Sequence, residues 1–285
     1  MKVFRRLTGF LIAVIFGIMS LTLCLAEEHY EWDCPECDRT GNTGNFCGQC
    51  GHPAPWLETS TPTPAPASSF EKFSVVSFGH YEQDNDSSNG PEPIEWIVLD
   101  HDEENNRVLL LSKYGLDTKP FNNKKYAVVP WDSCTLRTWL NGEFLNSAFS
   151  AEEQSAILVT DVDNSAAQGF SVWKKKGGKN TKDRIFLLSY AEANLYLDVD
   201  RENTKNVKAR VAPTDYAIAQ GAGINKSMKT EDGKPAGWWW LRSPGYGRDA
   251  AGVNVKGSLH GGNVNSNEAI VRPAFWLDLE AGMIQ

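Results

Sequence analysis

Hydrophobic and polar positions divide the chain into three stretches of different texture. An apolar run ending at Ala26 follows Lys2, Arg5 and Arg6 and gives way to Glu27. Polar residues, cysteines and prolines without periodicity then continue to Ser69. From Phe70 onward short apolar stretches recur between polar turns, as a packed domain requires.

Within that last stretch, "KFSVVSFGHY" and "EPIEWIVLDHD" read as strands flanking the polar turn "EQDNDSSNGPEP". "NRVLLLSKYGLD" predicts a third strand, apolar enough to be buried on both faces. Leu136, Trp139, Leu140 and Phe144 recur at three- and four-residue intervals and predict a helix capped by Asp132 or Ser133. Ser150 with Glu153, and Ser189 with Glu192, have capping-box spacing and predict two further short helices. "RIFLL" reads as another core strand, and "RIFLLS" echoes "RVLLLS". Two such segments fall short of a repeat array.

The last third alternates "GWWWLRSPG", "AAGVNVKGS", "GGNVNSN" and "EAIVRPAFWLDLE", a meander of short strands with polar turns. In a strand Trp238 and Trp240 point to one face, together with Arg242, and Trp239 points to the other. One face then fills the core while the other offers a flat aromatic surface. Asn254, His260, Asn263, Asn265 and Asn267 on neighbouring turns add polar groups, which with Trp238, Trp240 and Arg242 make a candidate face for a glycan or protein ligand. The competing reading is core tryptophan plus turn asparagine. Arg272 equally reads as a structural arginine paired with a carboxylate at the core edge.

The first two stretches carry different chemistry. Residues 1–26 have the layout of an export signal and the length of a membrane span, so a cleaved signal peptide and a retained anchor are both open. Either way the remainder faces out, secreted or held extracytoplasmically. A lipobox reading at Cys24 meets the bulky Leu23. Cys34, Cys37, Cys47 and Cys50 form two C-x-x-C pairs separated by nine residues, the ligand set of a zinc ribbon over 30–53. Four closed thiolate ligands predict a structural zinc; two disulfides are the alternative in an oxidising location. His52 reads as a loop residue beside them. Residues 54–69, rich in Pro, Thr and Ser, predict an extended spacer ahead of one domain over 70–285.

Net charge of −8 argues against a nucleic-acid partner, which needs a positive field. The run "KKKGGKNTK" reads as a solvated loop, with contact to an anionic surface as the alternative. Catalytic motifs are missing: there is no nucleophile elbow, metalloprotease helix or phosphate loop. His80, His101 and His260 stand singly, Cys134 lies among tryptophans as a buried thiol would, and Glu103-Glu104 and Glu152-Glu153 fit a charged turn and a helix start. The turn "DNDSSNG" lacks the spacing of an EF-hand. Membrane contact is expected only through an uncleaved anchor.

"PIEWIVLD", "WDSCTLRTWLN", "PTDYA", "WWLRSPG" and "AIVRPAFWLDL" together resemble a bacterial secreted family of unknown function, closed by Trp-x-Leu-Arg-Ser-Pro and Val-Arg-Pro-Ala-Phe. By that ending the family is similar to the C-type-lectin-like fold, which includes formylglycine-generating enzymes and retroelement-diversified proteins. The resemblance implies an α+β domain with a small twisted antiparallel sheet and a ligand face near the final strands. The calcium-lectin sugar triplets are missing, and Cys134 is the domain's one cysteine, so neither calcium-lectin nor paired-cysteine chemistry follows. The expectation is an exported, non-catalytic binding protein with a structural zinc ribbon. Alternatives are an assembly module whose ribbon docks a partner, and an enzyme distantly related to the formylglycine-generating group.

Overall fold

The structure is a computed structural model that describes residues 33–34, 36–37, 39–42, 46–47, 49–50, 70–124 and 129–284. The apolar segment expected over 1–26, His52 and the spacer over 54–69 lie outside the described residues. No helix among the described residues is long and apolar enough to cross a membrane. The chain divides into two units, residues 1–67 and 68–285.

The larger unit is α+β and built on two antiparallel-rich sheets. Strands β1 (Val75–Tyr81), β2 (Glu92–Asp102), β3 (Arg107–Ser112) and β13 (Ala274–Asp278) form one, in the order β1-β2-β3-β13. The second has the order β11-β10-β9-β12-β4, from β4 (Asp117–Thr118), β9 (Trp239–Pro244), β10 (Asp249–Val253), β11 (Leu259–Asn263) and β12 (Ile270–Val271). Strands β9, β10 and β11 are the expected meander, and β12 joins β9 in parallel. Two short ribbons, β5 (Thr160–Val162) with β6 (Thr181–Asp183) and β7 (Ile224–Lys229) with β8 (Pro235–Gly237), complete the strands. The Arg272-Pro273 step carries the chain from one main sheet to the other, because β12 ends at Val271 and β13 begins at Ala274.

Strand β3 sits between β2 and β13, which explains its apolar run: Val108 to Ser112 are all buried. Trp96, Phe149 and Phe275 pack across this core, the Trp96 and Phe275 rings at 4.6 Å, edge to face. Trp96 Nε1 donates to the Phe78 carbonyl at 2.7 Å, so the indole's polar atom is satisfied inside the core.

Helices α1 (Thr135–Trp139) and α2 (Leu145–Ala148) are joined by a π-helical segment, Leu140–Phe144, that keeps the expected apolar positions turned inward. The cap differs from expectation. Asp132 and Ser133 belong to a 3₁₀ turn, Trp131–Ser133, and the Cys134 thiol accepts from the Arg137 N–H at 3.4 Å. Both capping boxes form, at the starts of α3 (Ala151–Ala156) and α4 (Tyr190–Leu197). Helix α5 (Asp215–Ala219) is capped by the Thr214 hydroxyl.

"RIFLL" does not form the expected strand. Asn141 intercepts its backbone: Oδ1 accepts from the N–H groups of Arg184 and Ile185 at 2.9 and 3.1 Å, and Nδ2 donates to the Ile185 carbonyl at 2.8 Å. Ile185 to Leu188 are buried nonetheless, joined to β13 by one bridge between Phe186 and Ala274.

Candidate functional site

In the smaller unit, the Sγ atoms of Cys34, Cys37, Cys47 and Cys50 all lie within 4.8 Å of one another. Cys34 and Cys50 are 3.6 Å apart, as are Cys37 and Cys47. A disulfide needs about 2.05 Å. Four thiolates at about 2.3 Å from one zinc stand about 3.8 Å apart, from tetrahedral geometry, so these spacings are compatible with a tetrahedral thiolate site. Backbone N–H groups of Cys50 and Gln49 point at Cys47 and hold its thiol down to about 6, while its neighbour Cys37 is pushed up to about 12, as befits thiols close enough to share a proton.

In the larger unit, strand alternation places the tryptophans as expected, but both faces are covered. Trp239 and Trp240 are fully buried and Trp238 is half-buried. Trp238 and Trp240 share a face, their rings 4.8 Å apart and edge to face. That face is closed by the bare backbone of the meander: a Cβ added at Gly262 would meet Trp238 at 2.6 Å and Trp240 at 3.0 Å. Trp240 Nε1 donates to the Lys119 carbonyl at 2.9 Å, and its ring meets Phe121 at 5.7 Å. On the opposite face Trp239 Nε1 donates to the Ala209 carbonyl at 3.0 Å. The flat exposed aromatic surface expected from Trp238, Trp240 and Arg242 is therefore corrected: two of the three are interior.

Arg242 is interior because it ties loops together. It donates to the carbonyls of Leu187 at 2.8 Å and Asp163 at 3.2 Å, and its two Nη groups bind both oxygens of Glu192. Glu192 also accepts the Ser189 N–H at 2.8 Å, so one carboxylate closes the α4 capping box and neutralises the buried guanidinium. Next to it Ser243 Oγ donates to the Gln168 carbonyl at 2.6 Å and accepts the Tyr190 N–H at 2.9 Å. The Leu-Arg-Ser-Pro stretch is thus a clasp between β9, α4 and the 163–168 loop.

The polar residues of the expected ligand face divide. Asn254 holds its own turn, Oδ1 accepting from Lys256 N and Ser258 N and Nδ2 donating to Ser258 Oγ. Asn263 Oδ1 accepts from Asn265 N at 3.4 Å, and the Asn267 carbonyl accepts from Thr118 Oγ1 at 2.6 Å. Asn265 Oδ1 is buried without a hydrogen-bond partner. His260 is exposed with its ring 6.3 Å from Trp238. Turn chemistry explains Asn254 and Asn263 directly.

Arg272 is fully buried, and the expected carboxylate partner is not there among the described residues. Its Nε donates to the Ser112 carbonyl at 2.9 Å, and its guanidinium lies 5.0 Å from the Trp239 ring centroid. Burial pushes its pKa down to about 9, which leaves it charged at neutral pH. Cys134 is buried as expected, its thiol pushed up to about 12 by desolvation.

A solvent-open cleft of about 410 Å³ that no sequence motif marks lies between α5, the loop after β1, Tyr114 and the β7–β8 ribbon. Tyr114, Ile218 and Ile224 supply its apolar wall; Asp84, Asp215 and Lys234 supply charge. Ile218 is 41% exposed, so its side chain is open to a ligand in the cleft. The Lys234 ammonium stands 4.0 Å from the Tyr114 ring centroid, and Tyr114 Oη donates to Asp232 at 3.2 Å, so this wall is braced. Thr214 and the short apolar helix after it were the available sequence signals. The lining comes from Gln83 and Asp84, from Tyr114 and from the Ala212–Pro235 stretch, segments that meet only in the fold, which hid the cleft.

Glu82, Asp84 and Glu92 also approach within 4.8 Å of one another. Glu92 accepts the backbone N–H groups of Gln83 and Asp84, and Glu82 and Asp84 accept that of Asp86, which accounts for the cluster as turn chemistry.

No curated protein and no solved structure matches the chain. Residues 105–279, more than half of the chain, match the family described as "Domain of unknown function (DUF6273)".

Proposed function

The chain belongs to the domain-of-unknown-function family DUF6273, and from that premise we propose that it is an exported, non-catalytic binding protein whose ligand, a glycan or a protein segment, enters the cleft beside α5. In this reading Cys34, Cys37, Cys47 and Cys50 hold one structural zinc. The zinc closes a unit too small to bury a core of its own. What supports a C-type-lectin-like arrangement is the position of the closing motif, with Trp239 to Pro244 central in one sheet and Val271 to Phe275 passing to the other.

The observation that carries the binding reading is the cleft itself. Its size lies in the range of ligand pockets, about 300–1,000 Å³, and its lining combines an exposed isoleucine, a braced tyrosine and flanking charges. The test is a printed glycan array and a peptide array probed with the full chain and with Ile218→Lys. Binding by the wild type that the variant loses, with unchanged near-UV circular dichroism, is the expected result; equal binding by both places the ligand elsewhere.

A further inference from the structure

A second surface, separate in composition from the cleft, points to another partner. The loop "KKKGGKNTK" is pinned rather than trailing: Gly178 N donates to the Asn164 carbonyl at 2.8 Å, Lys179 N to Asp132 Oδ2 at 2.7 Å, and Asn164 Nδ2 to the Lys179 carbonyl at 3.0 Å. Lys175 Nζ donates to the Gly247 carbonyl at 2.7 Å, which joins this loop to the Tyr246-Gly247-Arg248 turn. Lys174, Lys176, Lys179 and Arg248 are exposed and form no ion pair among the described residues. The flanking carboxylate of Asp132 is engaged by backbone, and the five cations of the two loops outnumber Asp132 and Asp249 beside them.

Two apolar side chains in or beside these linked loops are exposed. Val172 is 64% and Tyr246 70% exposed. Unpaired lysines interleaved with an exposed valine and tyrosine match the interfacial region of a bilayer, where aromatic rings sit at headgroup level and cations face anionic lipid. A solvated polyanion would use the cations and leave the apolar side chains without a role.

We propose that this patch, Val172, Lys174, Lys176, Lys179, Tyr246 and Arg248, docks the domain onto an anionic membrane surface. The chain's net charge of −8 does not prevent this. Screening confines electrostatic attraction to about 8–10 Å, so a local excess of cations governs the contact. The patch adds a membrane contact beyond the anchor that the first residues would supply.

The experiment is vesicle flotation of the full chain with phosphatidylcholine vesicles and with vesicles containing about one-third phosphatidylglycerol. Any contribution of the N-terminal apolar segment is common to both lipids and all variants. The wild type is expected to partition at least tenfold more strongly onto the anionic vesicles and to lose that preference as salt rises, which needs no variant. Lys174→Gln, Lys176→Gln, Lys179→Gln and Arg248→Gln together should abolish the preference. Lys175 stays, since it holds the two loops together. Val172→Ser with Tyr246→Ser should weaken binding severalfold at constant charge. Equal partitioning onto both lipids overturns the proposal. So does binding to soluble polyphosphate that matches the anionic vesicles and ignores the Val172 and Tyr246 changes, which would identify a solvated polyanion as the partner.

Discussion

Trp238 lies against Gly262, close enough that a single added methyl on the glycine would stand 2.6 Å from its ring. The relationship explains how three adjacent tryptophans find cover. Glycines in β10 and β11 give up side chains so that indoles from β9 rest on bare backbone.

Gly262→Ala should therefore lower stability by about 1 kcal/mol, because the half-buried Trp238 ring can move aside. Gly252→Ala should cost about 3 kcal/mol, since its Cβ would stand 2.8 Å from the Trp239 carbonyl, which is backbone and cannot yield. Urea unfolding followed by tryptophan emission measures both; equal losses would mean the indoles pack otherwise.

The Arg242–Glu192 pair predicts an asymmetry between conservative and non-conservative changes. Arg242→Met should destabilise by about 3 kcal/mol, removing one partner of a buried pair and two contacts to loop carbonyls. Glu192→Gln keeps an acceptor for the Ser189 N–H and should cost less. If both variants unfold at the wild-type urea midpoint, the clasp contributes nothing.

Besides Tyr114, three tyrosines donate to carboxylates: Tyr81 to Asp117 at 2.8 Å, Tyr190 to Asp200 at 3.1 Å and Tyr196 to Asp100 at 2.9 Å. Burial first, and then these carboxylates, raise all three, Tyr190 to about 12. A raised folded-state pKa contributes stability that is complete below the unfolded value near pH 10 and fades as pH climbs through the folded one. Stability should fall from pH 10 towards 12, and phenolate absorbance at these sites should appear together with unfolding. Their free titration near pH 10 in the folded protein would contradict this.

Thiol reactivity separates the two kinds of cysteine. Cys134 should resist iodoacetamide at pH 8 until the domain unfolds, because burial holds its thiol at about 12. Cys34, Cys37, Cys47 and Cys50 should be protected while one equivalent of zinc is bound and become alkylated on chelation. Less than half an equivalent of zinc with these four oxidised would replace the metal by disulfides.

Local patterns were readable where a few neighbouring residues decide the outcome. The Ser150 and Ser189 capping boxes, the β9–β11 meander and the burial of Val108 to Leu111 follow from spacing and composition. The expectation of a family of unknown function agrees with the match over residues 105–279. Other features depend on partners far along the chain. Asn141 denies "RIFLL" its ladder from 44 positions away, and Glu192 meets Arg242 from 50. Alternation correctly assigned Trp238 and Trp240 to one face, but it carries no information on what covers that face. The cleft escaped for the same reason, since Tyr114 and Lys234 meet only in the fold.

The central claim is that ligand enters beside α5 and not on the tryptophan strand. Amide hydrogen exchange of the full chain, with and without the glycan or peptide that scores highest on the arrays, tests it most directly. New protection confined to Pro213–Ile218 and Ile224–Pro235 is the expected result. Protection across Leu259–Asn267, with those cleft segments unchanged, would contradict it and return the binding face to the final meander.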